Sequence, residues 1–278
     1  MTTRRREQPL NTEPPRASRI AAKVADEIQS ATLGMDNSPP FLQFQFWGRM
    51  GQLPNVIYLA SIWVIPLVIA ITFHEAAHGF VARFLGDETA WRLGRVSLNP
   101  LKHIDPTGTI LLPGLLLLLG SPFLFGYAKP VPVNFRALRN PRSGMVWVAV
   151  AGPAMNIALA ILAALAFHLV GYLPVTAAQW VAENLKNALI INVVLAVFNL
   201  FPIPPLDGGR IAVGVLPNVF ANPLARLEPY GMLILIGLLF ILPMLGAQLG
   251  VDLSIVSRMI ARSTDAIIGA ILRLTGNT

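Results

Sequence analysis

The residues His74-Glu75-Ala76-Ala77-His78 directly follow an apolar run, Leu53 to Phe73, that is long enough to cross a bilayer. Ionisable side chains inside a membrane span each cost about 2.5–3.5 kcal/mol on insertion scales, so three placed together need a purpose beyond packing. At positions i and i+4 of a helix, two imidazoles project from one face about one turn apart and can clasp a single metal ion. A glutamate beside them is placed to accept a proton from an activated water. The plain alternative is that His74 and His78 are interhelical hydrogen bonders and that Glu75 pairs with a base.

Only 13% of the 278 residues are charged and 54% are hydrophobic, against about 25% charged in an ordinary soluble domain. With a mean hydropathy of +0.61 and several apolar runs near 20 residues, this composition predicts an all-α polytopic membrane protein. The expectation is about four to six transmembrane helices, a re-entrant segment and a small membrane-associated β element. There is no cysteine, which removes disulfides and thiolate sites and leaves His, Asp and Glu as the only strong metal ligands. The net charge of +7 reads as cytoplasmic loops facing anionic lipid, not as nucleic-acid binding.

Along the chain, residues 1–40 read as a basic, partly disordered tail, 41–249 as the membrane core, and 250–278 as an amphipathic helix lying in the interface. Apolar spans are expected at about 53–85, 144–171, 185–201 and 229–246. Trp91 to Leu98 (WRLGRVSL) alternates well enough for a short strand, and Pro130 and Pro132 make 125–134 (FGYAKPVPVN) extended. Ile110 to Leu119 is too short to cross and is broken by Pro113, which suits a re-entrant segment. The 86–107 loop carries Arg92, Arg95 and Lys102, and the 121–143 loop carries Lys129, Arg136, Arg139 and Arg142. The 172–184 loop carries no Lys or Arg and is placed outside. One conflict follows: this orientation sends the basic tail outside unless residues 41–53 help it fold back.

Two histidines are an incomplete catalytic zinc site, which takes three protein ligands and one open position. Asp207 is the best third donor. It stands at the end of an apolar span, in NLFPIPPLDGG, where Pro202, Pro204 and Pro205 exclude regular helix and two glycines allow close backbone approach. An N-cap role at the following helix is the structural alternative, and Asp105 is a competing donor. Asn156, in AGPAMN, needs a partner in its apolar span. It either bonds a neighbouring helix or directs its amide at the oxyanion formed when water attacks a peptide carbonyl. His103 and His168 read as a structural loop histidine and an interfacial one.

HEAAH at 74–78, GPAMN at 152–156 and NLFPIPPLDG at 199–208, in this order over successive apolar spans, resemble the site-2 protease family of intramembrane zinc metalloproteases. GRVSLNPLKHIDPTGT (94–109) and GYAKPVPVN (126–134) further resemble its compact bacterial members. The resemblance implies that His74, His78 and Asp207 bind one Zn2+, that Glu75 is the general base, and that Asn156 helps position the substrate carbonyl. It also implies a transmembrane-helix protein as substrate, and regulated intramembrane proteolysis or clearance of signal-peptide remnants as the process. The implied location is the bacterial inner membrane, with the active site toward the cytoplasm. No stretch is long and polar enough for the PDZ or CBS domain that other members carry. A substrate added as a strand to the 91–98 or 125–134 segment would be held extended. The competing functions are a membrane metal transporter using the same ligands and an inactive, helix-binding relative. No feature of the sequence sets the oligomeric state.

Overall fold

The computed structural model describes Arg19, Lys23, residues 53–111, Leu115 and residues 128–277. The tail, most of the proposed re-entrant segment and residues 41–52 lie outside the described residues.

Three helices make the frame: α1 (Leu53–Phe84), α2 (Pro141–Ala166) and α3 (Val175–Asn199). A tight helical turn, Phe167–Tyr172, and Pro174 reverse the chain between α2 and α3. Along α1 and α2 the partners run in opposite directions: Ala70 and His74 meet Asn156, and His78 meets Val148. Ser61 and Ile62 of α1 meet Trp180 and Asn187, so α1 and α3 run the same way. The C-terminal ends of α1 and α3 and the start of α2 therefore share one end of the bundle. Small residues carry the α2–α3 seam: Ala160, Ala163 and Ala164 pack with Ala178 and Ala182 in one buried cluster, the close approach expected where lipid provides no hydrophobic drive.

Pro66 sits inside α1. It lacks an N–H, so the carbonyl four residues earlier, at Ile62, loses its helical donor. Asn187 of α3 supplies one, with Nδ2 2.7 Å from that carbonyl. The exchange satisfies a backbone group that water cannot reach in a bilayer, and Asn187 itself is fully buried.

After α3 the chain unwinds through Phe201 to Leu206 and resumes as α4 (Asp207–Val215). Arg142, in the first turn of α2, donates to the carbonyls of Gly214 and Leu216 and to Asn218 Oδ1, and so fixes the end of α4 onto α2. Residues 218–248 form a broken fourth span: α5 (Asn218–Ala225), α6 (Gly231–Ile236) and α7 (Leu242–Gln248), joined by looser helical turns. Helix α8 (Ile255–Leu274) buries Thr264, Ile268, Ile271 and Leu272, the last three in the cluster with Phe167 and Val170. His168 is hydrogen-bonded at 2.7 Å to the Thr275 carbonyl beyond its end.

Four helical stretches are long and apolar enough to cross a membrane: Ile57–Phe84, Pro141–Tyr172, Val175–Asn199 and Asn218–Gln248. This is the all-α polytopic membrane architecture read from composition. The strand expected at 91–98 is absent. Thr89–Arg92 is instead a helical turn, closed by the Asp87 Oδ1 bond to the Thr89 amide and the Glu88–Arg92 pair, and Gly94 at φ +64° turns the chain away. Residues 128–134 are irregular, with no strand among the described residues. They form a strap along the end of α1.

Candidate metal centre

His74, Glu75 and His78 lie in the C-terminal half of α1, where the i, i+4 spacing stacks the two imidazoles on the face toward α2. Their ring centroids are 4.7 Å apart and nearly perpendicular. Gly152 of α2 faces them. A Cβ there would stand 2.5 Å from His78 Nε2 and 2.6 Å from His74 Nε2, so only glycine leaves room for the pair.

Hydrogen bonds set the tautomer of each ring. His78 Nδ1 lies 2.7 Å from the Val148 carbonyl, which only accepts, so Nδ1 carries the proton. Asn156 Nδ2 donates to the Ala70 carbonyl at 3.2 Å and to Asn192 Oδ1 at 2.8 Å. That orients the Asn156 amide and turns its Oδ1 to His74 Nδ1, 2.6 Å away. His74 Nδ1 therefore also carries the proton. Both Nε2 atoms are left as lone pairs.

Asp207 completes the cluster. It is the first residue of α4, and its Oδ2 lies 3.3 Å from both Nε2 atoms. The preceding turn presses close. A Cβ at Gly208 would collide with the Leu200 carbonyl, and one at Gly209 with the Pro204 backbone. Asp207 Oδ2 is buried and has no hydrogen-bond donor. Three acceptors thus converge: two Nε2 atoms 3.0 Å apart and a carboxylate oxygen, with no hydrogen to share. A divalent cation satisfies all three. His74, His78 and Asp207 form the one group of three or more potential ligands found among the described residues, with one donor atom from each within 4.8 Å of the others. The nitrogen and oxygen set suits zinc.

The family model described as Peptidase family M50 matches residues 168–243, a stretch that holds Asp207 but not His74 or His78. "Putative zinc metalloprotease YwhC" of Bacillus subtilis is 39% identical over 185 residues, which cover 65% of this chain and 80% of that protein. The chain belongs to peptidase family M50, the site-2 protease family. Rip2 of Mycolicibacterium smegmatis, also named a putative zinc metalloprotease, is 33% identical over 187 residues, 65% of this chain and 69% of its own. Its Mycobacterium tuberculosis namesake is 29% identical over 220 residues, 76% of this chain and 82% of its own. No solved structure matches. As an M50 enzyme the chain is a zinc metalloendopeptidase and an integral membrane protein.

The remaining site candidates fall as follows. Glu75 is half-buried, and its Oε2 accepts from the Val131 amide at 2.7 Å. Asn156 is wholly buried; its oxygen serves His74 and both its amide hydrogens are engaged. The carbonyl-directed role implied by the resemblance therefore requires one N–H bond to be exchanged when substrate enters. Asp105 stands apart, its Oδ1 accepting from the Thr107 and Gly108 amides at the start of the helical turn Pro106–Leu111. His103 is buried and bonded to the Ser97 carbonyl at 2.8 Å. The sequence reading missed Asn192, Val148 and Val131. Asn192 carried the signal already used for Asn156, a lone amide in an apolar span.

Proposed function

We propose that this M50 enzyme is an intramembrane zinc endopeptidase. It cuts single-span membrane proteins, in or next to their transmembrane segment, near the cytoplasmic face of a bacterial inner membrane. The observation that carries the site assignment is the convergence of three hydrogen-free acceptors at His74, His78 and Asp207. When bound there, zinc acts as a Lewis acid and brings the pKa of a coordinated water toward neutrality.

The chain's own residues do the rest. His74, His78 and Asp207 hold the ion, with Asn156 and Val148 keeping the imidazoles in the ligating tautomer. Glu75, next in sequence to the first ligand, takes the proton from the attacking water and passes it to the leaving amine. The basic residues of the 86–107 and 128–143 segments flank this end of the bundle, whereas the 167–174 turn at the other end has no Lys or Arg, which supports a cytoplasmic site. The position of His74 and His78 within the apolar span Ile57–Phe84 supports substrates in or beside the bilayer. Regulated intramembrane proteolysis and signal-peptide clearance are both processes this chemistry serves.

The test is co-reconstitution in lipid vesicles with a panel of labelled single-span helices, together with metal analysis of the purified protein. Wild type is expected to carry one zinc per chain and to cleave at least one helix. Glu75→Gln keeps the zinc and loses cleavage, while His74→Ala and Asp207→Ala lose both. Full cleavage by Glu75→Gln removes Glu75 from the mechanism. Zinc flux across sealed vesicles without cleavage would indicate a transporter.

A further inference from the structure

We infer that Arg95 is a positioning residue for the reaction, acting through the Val131 amide on the Glu75 carboxylate. The inference rests on Glu75 being the general base.

The strap has few amides to offer. Pro130 and Pro132 have none, so Val131 supplies the one N–H of this triplet, and it goes to Glu75 Oε2 at 2.7 Å. The Val131 side chain is buried beside Gly79, one turn beyond Glu75. A Cβ at Gly79 would stand 3.2 Å from Val131 Cγ1 and 2.8 Å from Val96 Cγ2, so the missing side chain brings strap and helix together. Both ends of the strap are pinned. The Lys129 amide bonds the His103 carbonyl at 2.9 Å, and the Asn134 amide bonds buried Asp87 at 2.6 Å.

Arg95 ties the near end. Its Nη2 lies 2.8 Å from the Lys129 carbonyl and 3.3 Å from that of Pro130, and its Nη1 donates to the Lys102 carbonyl. One guanidinium fork thus clamps the two peptide units before Val131 to the neighbouring loop. A fixed Val131 amide holds one carboxylate oxygen of Glu75 and so favours the side-chain rotamer that directs the other. A base held within hydrogen-bonding reach of its proton loses much of its efficiency when it drifts by an ångström.

The experiment uses full-length protein in vesicles and the panel helix that wild type cleaves fastest. Arg95→Ala is compared with Arg95→Lys, each also in the Glu75→Gln background, with zinc content and amide exchange of the strap measured alongside. For Arg95→Ala the expected loss in kcat is about 100-fold, with KM and zinc content unchanged and faster exchange at Val131. Arg95→Lys, which keeps one charged donor, recovers part of the rate. In the Glu75→Gln background, which does not cleave, Arg95→Ala is expected to leave zinc content unchanged and still to speed exchange at Val131. Unchanged kcat despite faster exchange overturns the inference, as does a rise in kcat or loss of zinc in both Arg95 variants. Full cleavage by Glu75→Gln alone would instead overturn the assignment of the base.

Discussion

Asn192 Oδ1 accepts a 2.8 Å hydrogen bond from Asn156 Nδ2, and this contact joins the middle of α3 to the metal centre. Asn192 in turn donates to the Ala188 carbonyl of its own helix. The orientation of one buried amide thereby reaches the His74 imidazole through Asn156. Partners behind a metal-bound histidine set its tautomer and orientation, and their loss costs about 10–100-fold in metal affinity or activity.

Asn192→Leu is accordingly expected to weaken zinc binding by about 10–100-fold. Competition with a chelator of known affinity measures this directly. Unchanged affinity would reduce the Asn156–Asn192 bond to a packing contact.

The Pro66–Asn187 pair makes a prediction about stability. Asn187→Leu leaves the Ile62 carbonyl without a donor inside the bundle and should cost about 1–2 kcal/mol, the scale of interhelical hydrogen bonds in model membrane peptides. Pro66→Ala restores the helical N–H and should rescue most of that loss. Thermal unfolding of the two single variants and the double variant in one detergent reads the coupling. Additive effects would show that Asn187 does not replace the donor Pro66 lacks.

Gly152→Ala inserts a methyl group where the two Nε2 atoms meet, 2.5–2.6 Å from each. The expected outcome is a folded protein that no longer retains zinc, scored by metal analysis and by circular dichroism. A variant that binds zinc normally would show that α2 lies farther from the imidazoles.

The orientation can be tested because the chain has no cysteine. Arg136→Cys and Tyr172→Cys each introduce one exposed thiol, at opposite ends of the bundle. In intact cells, an impermeant thiol reagent added outside is expected to label Cys at 172 and to spare Cys at 136. The reverse pattern would put the metal centre at the outer face.

What could be read from the sequence is what repeats locally. Apolar length located the four spans but not every start. The third begins at Val175 and the fourth at Asn218, ahead of the apolar runs expected at 185 and 229, because helix continues through the more polar residues before each run. The i, i+4 spacing put His74 and His78 on one face. The prolines before Asp207 marked an interrupted helix, and the structure brings that turn to the imidazoles. The strand at 91–98 failed because alternation over eight residues is a weaker force than a local cap. Asp87 and the Glu88–Arg92 pair favour a helical turn, and no strand among the described residues offers a ladder. The tertiary partners were harder to see. Val131 lies 56 positions from Glu75, and a backbone amide leaves no trace in residue type. Asn187 and Asn192 were legible in kind, since an amide in an apolar span always needs a partner, but their partners depend on how α1 and α3 pair.

The mechanism depends on zinc being held by side chains from α1 and α4. X-ray absorption at the zinc edge of purified Glu75→Gln protein tests it most directly. The expected result is a shell of two imidazole nitrogens plus oxygen ligands, all at about 2.0–2.2 Å, and loss of bound zinc in Asp207→Ala. A third imidazole in the shell, or full zinc occupancy with Asp207 removed, would contradict it.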